Sequence, residues 1–263
     1  MAWRNVQLYY QHAARTAAIA VGDTAITSNA TFTTPKGHLV DDRAGIRTAL
    51  SSGANNYIQV DTGPASPPTV DHLFIPAGHN LNGCSIKLES DDNASFTTPT
   101  TMLGSTAITG SAAISLDVTS SAERYYRLTF ITSGTWQISE LFLTRKQTLS
   151  RGPDQGWEDG YVFPVEIYAK RTGARPAAEF GSKLRVLEFE FKRVGETDYA
   201  QFAALLNAVG TTRPFLLDVP FDTSGQIWCS LLAPLETNSD KPNEQATGER
   251  RYRVRMRVQE WAA

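Results

Sequence analysis

Apolar and polar residues alternate strictly in two stretches near the C-terminus of the chain. Residues 187–192 read Leu-Glu-Phe-Glu-Phe-Lys, and residues 251–258 alternate arginine with Tyr, Val, Met and Val. A period of two is typical of a strand that buries one face and exposes the other to solvent. The two stretches therefore predict strands of one sheet, in which glutamates on the first strand face arginines on the second.

The segment between these strands has the pattern of a single amphipathic helix. Its apolar residues follow the spacing i, i+3, i+4, i+7: Phe202, Leu205, Leu206 and Val209. Asp198 stands three residues before Gln201, as in a capping box, and Gly210 follows where a left-handed residue ends a helix. We predict a helix over 198–209 that packs its apolar face on the sheet, followed by a buried strand at 215–217.

The first 150 residues show a different pattern, with short apolar runs separated by Gly, Pro and Asn and almost no helical periodicity. The runs lie at 57–60, 70–75, 85–88, 113–118, 125–131 and 135–143. Short strands at this spacing are typical of an antiparallel β-sandwich. The predicted fold class is mainly β: an N-terminal β-sandwich jelly roll, then a C-terminal antiparallel β domain with one packed α-helix.

Composition and charge divide the chain into parts. The 263 residues carry a net charge of -2, so charge points to neither a nucleic acid nor an acidic membrane as partner. The part after the turn-rich stretch 150–154 is more densely charged than the part before it. We predict an apolar arm over 1–14, a sandwich domain over 15–148 and a second domain over 154–263. Polar residues with Gly and Pro at 170–182 and 237–248 predict loops.

No apolar run approaches the roughly 20 residues of a membrane span, and the run at 17–21 is too short for a signal-peptide core. We therefore expect a protein that does not leave a cell through the usual secretory signal. The two cysteines, Cys84 and Cys229, fall one in each half, which predicts two buried free thiols.

Several motifs in the first half, in this order, resemble the discoidin-type, galactose-binding-like jelly rolls. They lie at 39–43, 57–63, 78–81, 88–92, 124–128 and 138–141. The resemblance implies glycan binding through loops at one end of the sandwich. It also implies a structural calcium ion held by Asp41 or Asp42, by Glu140, and by Thr48. The alternative to calcium binding is that backbone N–H groups and an arginine hold the carboxylate in place of a metal ion.

Candidate ligand-binding residues lie in two turns of this domain: Trp136, His79 and Asn80. Trp136 follows a Ser-Gly-Thr turn and is either an exposed platform for a sugar ring or a core aromatic. His79 lies in a Gly-His-Asn turn, where a histidine with a purely local role is the alternative. The four histidines do not have the sequence spacing of metal ligands or of a catalytic triad.

No catalytic cluster is visible in the sequence. The paired carboxylates at 41–42, 91–92 and 158–159 are adjacent in turns or loops, and such neighbours rarely face one substrate from opposite sides. We therefore predict that the protein is not an enzyme and needs no cofactor beyond the calcium. The four arginines at 251–257 suggest a phosphate-binding ribbon, but pairing with the facing glutamates is favoured.

The second half resembles the ring-forming domain of distal tail proteins of long-tailed bacteriophages. The resemblance rests on 189–191, the helix, 213–218, Trp228 and the Arg-Tyr-Arg-Val strand that ends at Glu260 and Trp261. It implies a structural protein of the virion tail tip or baseplate, in a ring of six copies, or alternatively three. Implied partners are neighbouring tail-tube and hub proteins and a host surface glycan.

Within such a ring we expect the apolar arm, with Trp3, Leu8, Tyr9 and Tyr10, or the adjoining sheet edge to be covered by a neighbouring copy or another tail protein. The alternative function is a free-standing glycan-binding lectin or an accessory module of a glycan-active enzyme.

Overall fold

The computed structural model describes residues 5–15, 22–41, 46–64, 67–154, 158–162, 165–167, 177–179, 184–219, 226–240 and 251–260. The chain divides into two compact units. One consists of residues 9–146, and the other combines residues 1–8 with residues 147–262. The first unit is thus an insertion between two segments of the second, whereas the sequence predicts a sandwich domain over 15–148 that simply precedes the second domain.

The described chain is mainly β, with one long helix, α1 (Glu196–Val209), and two short 3-10 turns, η1 (Gly22–Ala25) and η2 (Lys36–Leu39). Its strands are β1 (Gln7–Tyr9), β2 (Ile26–Ser28), β3 (Thr48–Ala49), β4 (Asn56–Asp61), β5 (Val70–Ile75), β6 (Ser85–Asp91), β7 (Thr100–Ala107), β8 (Ile114–Ser121), β9 (Tyr125–Phe130), β10 (Gln137–Ile138), β11 (Phe142–Thr144), β12 (Gln147–Thr148), β13 (Glu158–Val162), β14 (Val165–Ile167), β15 (Ala177–Glu179), β16 (Leu184–Val194), β17 (Phe215–Asp218), β18 (Gln226–Leu231), β19 (Glu236–Asp240) and β20 (Arg251–Glu260).

The unit of residues 9–146 is an antiparallel β-sandwich. One sheet has the strand order β2-β4-β9-β6-β7, the other has the order β11-β5-β8, and β10 pairs with β3. Apolar side chains from both sheets form one buried core, among them Ile58, Leu128, Leu73 and Leu143. The predicted β-sandwich is therefore confirmed. The run at 135–143, predicted as one strand, forms two short ones, β10 and β11.

The second unit is built on an eight-stranded sheet. Its strand order is β12-β1-β17-β18-β20-β16-β13, and β19 pairs with β20 beside this path. On β16 the apolar residues Leu187, Phe189 and Phe191 are buried while the residues between them reach solvent. The ring of Phe202 on α1 lies 4.9 Å from the ring of Phe191, so the helix packs on the apolar face as predicted.

The opposite face of this sheet carries the predicted charge pairs. The register places Glu188 opposite Arg257 and Glu190 opposite Arg255. The Arg255 Nε atom lies 2.7 Å from Glu188 Oε1, and Arg253 pairs with Glu190. Because these arginines already face carboxylates, the pairing interpretation is confirmed in place of a phosphate-binding ribbon. Such exposed pairs contribute little stability each.

The predicted start of the helix was wrong by two residues. Gly195 is the N-cap, and the helix begins at Glu196. Asp198 lies in the first turn and is buried, and its carboxylate accepts hydrogen bonds from the backbone N–H and the hydroxyl of Ser150. The Asp198 carboxylate, which the sequence pattern assigned to capping the helix, therefore binds Ser150, a residue distant in the sequence. The predicted end is confirmed, since Gly210 has φ +56° and donates to Leu206 O.

Three further expectations are corrected. Leu8, Tyr9 and Tyr10 are buried within their own chain, with exposed fractions of 0, 1 and 5%, so these residues do not await cover by a neighbouring copy. β1 lies inside the eight-stranded sheet, between β12 and β17. The predicted loops at 170–182 and 237–248 contain β15 and the greater part of β19. Trp3 and Trp261 lie outside the described residues.

Both cysteines are free and buried, as predicted. Burial raises the pKa of the Cys84 thiol to about 11, so at neutral pH this thiol stays protonated. Among the described residues, no helix has the length and apolar character needed to cross a membrane.

Candidate functional site

One end of the β-sandwich brings together the three residues predicted to bind a ligand. The turn that follows β5 carries His79 and Asn80, and the loop between β9 and β10 carries Trp136. The backbone N–H of Asn80 donates to Gln137 O over 3.2 Å, so the two segments are directly joined.

The buried side chain of His79 stabilises its turn through hydrogen bonds to the backbone. Its side chain is buried, Nε2 donates to Ala112 O over 2.8 Å, and Nδ1 accepts from the N–H of Leu81 over 3.2 Å. Burial lowers the pKa of this imidazole, in keeping with a neutral ring that has one donor and one acceptor nitrogen. Both nitrogens are engaged within the chain, so His79 shapes the turn and does not present a free nitrogen to a ligand.

Asn80 is exposed but also works within the chain. Its Nδ2 donates to Thr135 O over 2.9 Å, and its Oδ1 accepts from the N–H of Gln137 over 2.6 Å. The Asn80 side chain therefore hydrogen-bonds to the backbone of the residue before Trp136 and of the residue after it, as an adjacent strand would. We assign it the role of fixing the loop that carries the indole.

Trp136 is half-buried and held in one orientation. Its Nε1 donates to Thr132 O over 2.9 Å, and its carbonyl oxygen accepts from the N–H of Leu50 over 3.0 Å. A Cβ placed on Gly134 would lie 2.6 Å from the indole atom Cζ2, so the ring covers this glycine. The sequence left open whether Trp136 is an exposed platform or a core aromatic. In the structure its side chain packs against the sandwich core and part of it reaches solvent.

A fourth residue at this end, Arg47, was not singled out from the sequence. It is exposed, and its Nη2 lies 3.4 Å from the position a Cβ would take on Gly78. Gly78 has φ +88°, a conformation that glycine adopts without strain. Arg47 therefore lies at the turn 78–80. Asn80 of this turn is hydrogen-bonded to the backbone of both sequence neighbours of Trp136. A guanidinium at this turn can donate hydrogen bonds to hydroxyl or carboxylate oxygens. A partly exposed indole can cover an apolar ring face.

The residues predicted to hold calcium form a different centre. Glu140 is fully buried, and its Oε1 accepts a hydrogen bond from Nε2 of His12 over 3.1 Å. Nδ1 of His12 accepts from the N–H of Arg15, which leaves the ring proton on Nε2. Burial raises the pKa of Glu140 well above its ordinary value, and the negative charge of Asp41 raises it further. Burial and the charge of Arg15 lower the pKa of His12 to about 3.

The described residues do not complete a calcium site. Calcium takes six to eight oxygen ligands, whereas here a histidine N–H points at Glu140, Asp41 lies 3.0 Å from Nδ1 of His38, and Thr48 donates to Pro35 O. No group of three or more His, Cys, Asp or Glu residues that suits a metal occurs in the part of the chain that the structure describes. Asp42 lies outside the described residues, so the calcium stays a prediction.

The buried His12–Glu140 pair predicts opposite pH responses for two variants. The variant Glu140→Gln retains His12 without its carboxyl partner. The imidazole of His12 stays neutral in the folded state, whereas in the unfolded state it gains a proton below pH 6.5. The unfolded state then binds more protons, so stability falls as pH drops, by about 2 kcal/mol between pH 6.5 and 5. His12→Gln leaves Glu140, which stays protonated when folded but ionises above pH 4.5 when unfolded. Its stability therefore rises over the same drop in pH.

Urea unfolding of both variants at pH 7, 6 and 5 measures this difference, and each variant serves as the control for the other. Parallel pH dependence in the two variants would contradict the assignment of a neutral buried pair.

Solved structures similar to this chain include carbohydrate-binding modules. No protein-family model matches the chain, and no curated protein matches it. Similar solved structures include chitosan-binding module 1 from a Paenibacillus sp. IK-5 chitosanase/glucanase, 18% identical, with a TM-score of 0.40 over 51% of this chain and 98% of that one. They also include the family 32 carbohydrate-binding module of Clostridium perfringens NanJ in complex with galactose. It is 14% identical, with a TM-score of 0.39 over 53% of this chain and 99% of the module.

A third similar structure is a truncated AlyQ with carbohydrate-binding and alginate lyase domains. It is 14% identical, covers 74% of this chain and 50% of that one, and has a TM-score of 0.40.

Proposed function

We propose that the β-sandwich unit binds a saccharide at the end formed by Trp136, Arg47 and the turn 78–80. The observation that carries the proposal is the fixed, partly exposed indole: Trp136 lies over Gly134, is hydrogen-bonded to Thr132, and has the turn of Asn80 beside it. The resemblance of the motifs at 39–43, 57–63, 78–81, 88–92, 124–128 and 138–141 to galactose-binding-like jelly rolls also supports it.

The chemistry of this end suits a sugar ring. The indole offers a flat apolar surface for the C–H face of a sugar, and it needs little further ordering because its Nε1–H is already bonded. Arg47 brings guanidinium donors for ring hydroxyls or a uronate carboxylate. Since both groups lie on an exposed surface, we expect weak binding per copy and a strong gain when several copies act together.

Titration of the full chain against a panel of soluble oligosaccharides tests the proposal. We expect measurable binding of at least one saccharide and a loss of at least about tenfold in affinity for Trp136→Ala. The scale is taken from nucleic-acid bases that stack on aromatic side chains, where removal of the aromatic ring costs roughly 1–3 kcal/mol. Arg47→Ala should weaken binding as well. Tyr125→Ala removes a half-buried aromatic from the sheet, outside the proposed site, and serves as the control. Equal affinities of the wild type and Trp136→Ala would contradict the site.

As a second function we propose that the chain is a structural component of a bacteriophage tail tip, with the eight-stranded sheet unit as its assembly part. The observation that favours it is the insertion of the sandwich between two segments of that unit, because such an insertion lets one chain combine a part for assembly with a separate binding module. The resemblance of 189–191 and 213–218 to distal tail proteins supports the same role.

Among the described strands, β12 and β13 lie at the two ends of the sheet, and we expect these ends to make the head-to-tail contacts that ring closure at six or three copies requires. The particle mass in solution tests this role. A six-fold or three-fold mass supports it, and a monomer at high concentration leaves the lectin or accessory-module alternative as the function.

A further inference from the structure

A second cluster of chemically capable side chains lies on the three-stranded sheet of the sandwich unit. His72 is on β5, and Ser115 and Asp117 are on β8, two residues apart and therefore on one face of the strand. The register of the two strands places His72 opposite Asp117 and Phe74 opposite Ser115. Residues separated by more than 40 positions in the sequence are thereby brought to one surface.

The hydrogen bonds within the cluster have a defined order. His72 Nδ1 lies 2.9 Å from Asp117 Oδ1, and His72 Nε2 lies 3.0 Å from Ser115 Oγ. An ionised carboxylate only accepts hydrogen bonds, so Nδ1 carries the ring proton and Nε2 accepts from the serine hydroxyl. This is the polarity in which a histidine acts as general base toward a serine nucleophile.

The surroundings of the cluster hold it in this arrangement. His72 is 1% exposed, and the ring of Tyr9 lies against it with the centroids 4.5 Å apart. Asp117 also accepts from Lys146 Nζ over 2.8 Å, which fixes the carboxylate that orients the imidazole. Ser115 is exposed, so a substrate can approach its hydroxyl from solvent.

We propose that Ser115, His72 and Asp117 form a serine nucleophile site that hydrolyses esters of short carboxylic acids. Hydrolysis at this site does not require saccharide binding at the loop end of the sandwich. Among the described strands, β8 is at the end of its sheet in the order β11-β5-β8, and the reaction requires that backbone N–H groups near Ser115 donate to the oxyanion. The exposed position of Ser115 on a strand favours a small acyl group.

In the first step Ser115 Oγ attacks the carbonyl carbon of the ester while its proton passes to Nε2 of His72. The tetrahedral intermediate then collapses, the bond to the alcohol oxygen breaks, and the alcohol leaves with the proton from Nε2. In the second step water attacks the acyl-serine with the same proton transfers. The carboxylic acid leaves and Ser115 is restored. Asp117 orients His72 and stabilises the imidazolium, and it keeps its negative charge throughout.

Labelling of the full chain with a fluorophosphonate tests the proposal. In that reaction the Ser115 Oγ–P bond forms, the P–F bond breaks, and the proton goes to His72. We expect one label per chain, located at Ser115 by peptide fragmentation, and hydrolysis of 4-nitrophenyl acetate above the buffer rate. Ser115→Ala should abolish the label, and Asp117→Asn should slow both reactions by at least about tenfold because the imidazole loses its orienting partner.

Ser105→Ala, at an exposed serine on β7, which precedes β8 in sequence and belongs to the other sheet, is the matched control and should react like the wild type. Thermal melts of all variants establish that they fold, and Ser115→Ala removes a single oxygen from an exposed position. An unlabelled wild-type chain, a label that survives in Ser115→Ala, or an undiminished rate in Asp117→Asn would overturn the proposal. The cluster would then serve only to hold β5 and β8 together.

Discussion

Replacement of Leu205 by alanine should lower the free energy of unfolding by about 2–5 kcal/mol, the cost of a cavity at a buried leucine. Leu205 is 0% exposed and lies on the face of α1 that packs on the eight-stranded sheet, next to Phe202. Because the helix is held by this packing, the loss should appear in the denaturant transition that carries the helical circular dichroism signal.

Leu206→Ala is the matched control for this variant. Leu206 follows in the same helix and carries the same side chain, but it is only half-buried. Its loss should be clearly smaller, since less apolar surface returns to water. Equal losses for the two variants, or a loss below about 1 kcal/mol for Leu205→Ala, would mean that the apolar face of α1 is not what holds the helix.

Replacement of Gly134 by alanine should displace the indole of Trp136. The added Cβ would lie 2.6 Å from Cζ2 and 2.8 Å from Cε2, closer than carbon atoms approach. The ring or the loop has to move, and the hydrogen bond from Nε1 to Thr132 O is the contact most directly affected. We expect a stability loss of about 1–3 kcal/mol, the usual cost of overpacking, and a weakened affinity for the saccharide.

Gly104→Ala is the control, because a Cβ added to Gly104 in β7 would meet no atom within 4 Å. This variant should bind the saccharide like the wild type. The measurements are denaturant unfolding and saccharide titration of both variants. If Gly134→Ala behaved like Gly104→Ala in both, the indole would not be fixed over the glycine.

The sequence predicted those parts of the fold that follow from local periodicity. The alternation at 187–192 and 251–258 identified β16 and β20 and the pairing of Glu188 and Glu190 with arginines. The apolar spacing identified α1, and Gly210 identified its end. The start of the helix was placed wrongly because Asp198 bonds to Ser150, a contact between distant residues that a local capping rule cannot contain. The sequence did not predict β19 because its segment is polar and lacks an apolar alternation. This strand forms by pairing with β20, outside the main strand order of the sheet.

The candidate saccharide site was predictable only in part. Trp136, His79 and Asn80 were selected from turn motifs, and the structure places them together, although His79 and Asn80 use their side chains within the chain. Arg47 has no motif around it, and only the fold brings it to the turn of Gly78. The contact of His72 with Ser115 and Asp117 depends on the register of β5 and β8, which sequence spacing does not reveal.

Mapping of a bound saccharide by NMR shows whether it binds at the loop end of the sandwich. Titration of the isotope-labelled full chain with the best-binding oligosaccharide should shift the indole Nε1–H signal of Trp136 and the backbone signals of 78–80 and 132–137. The amides of β16 and β20 should stay in place. Shifts that leave Trp136 and these loops untouched while other residues respond, or no shift at millimolar saccharide, would contradict the account.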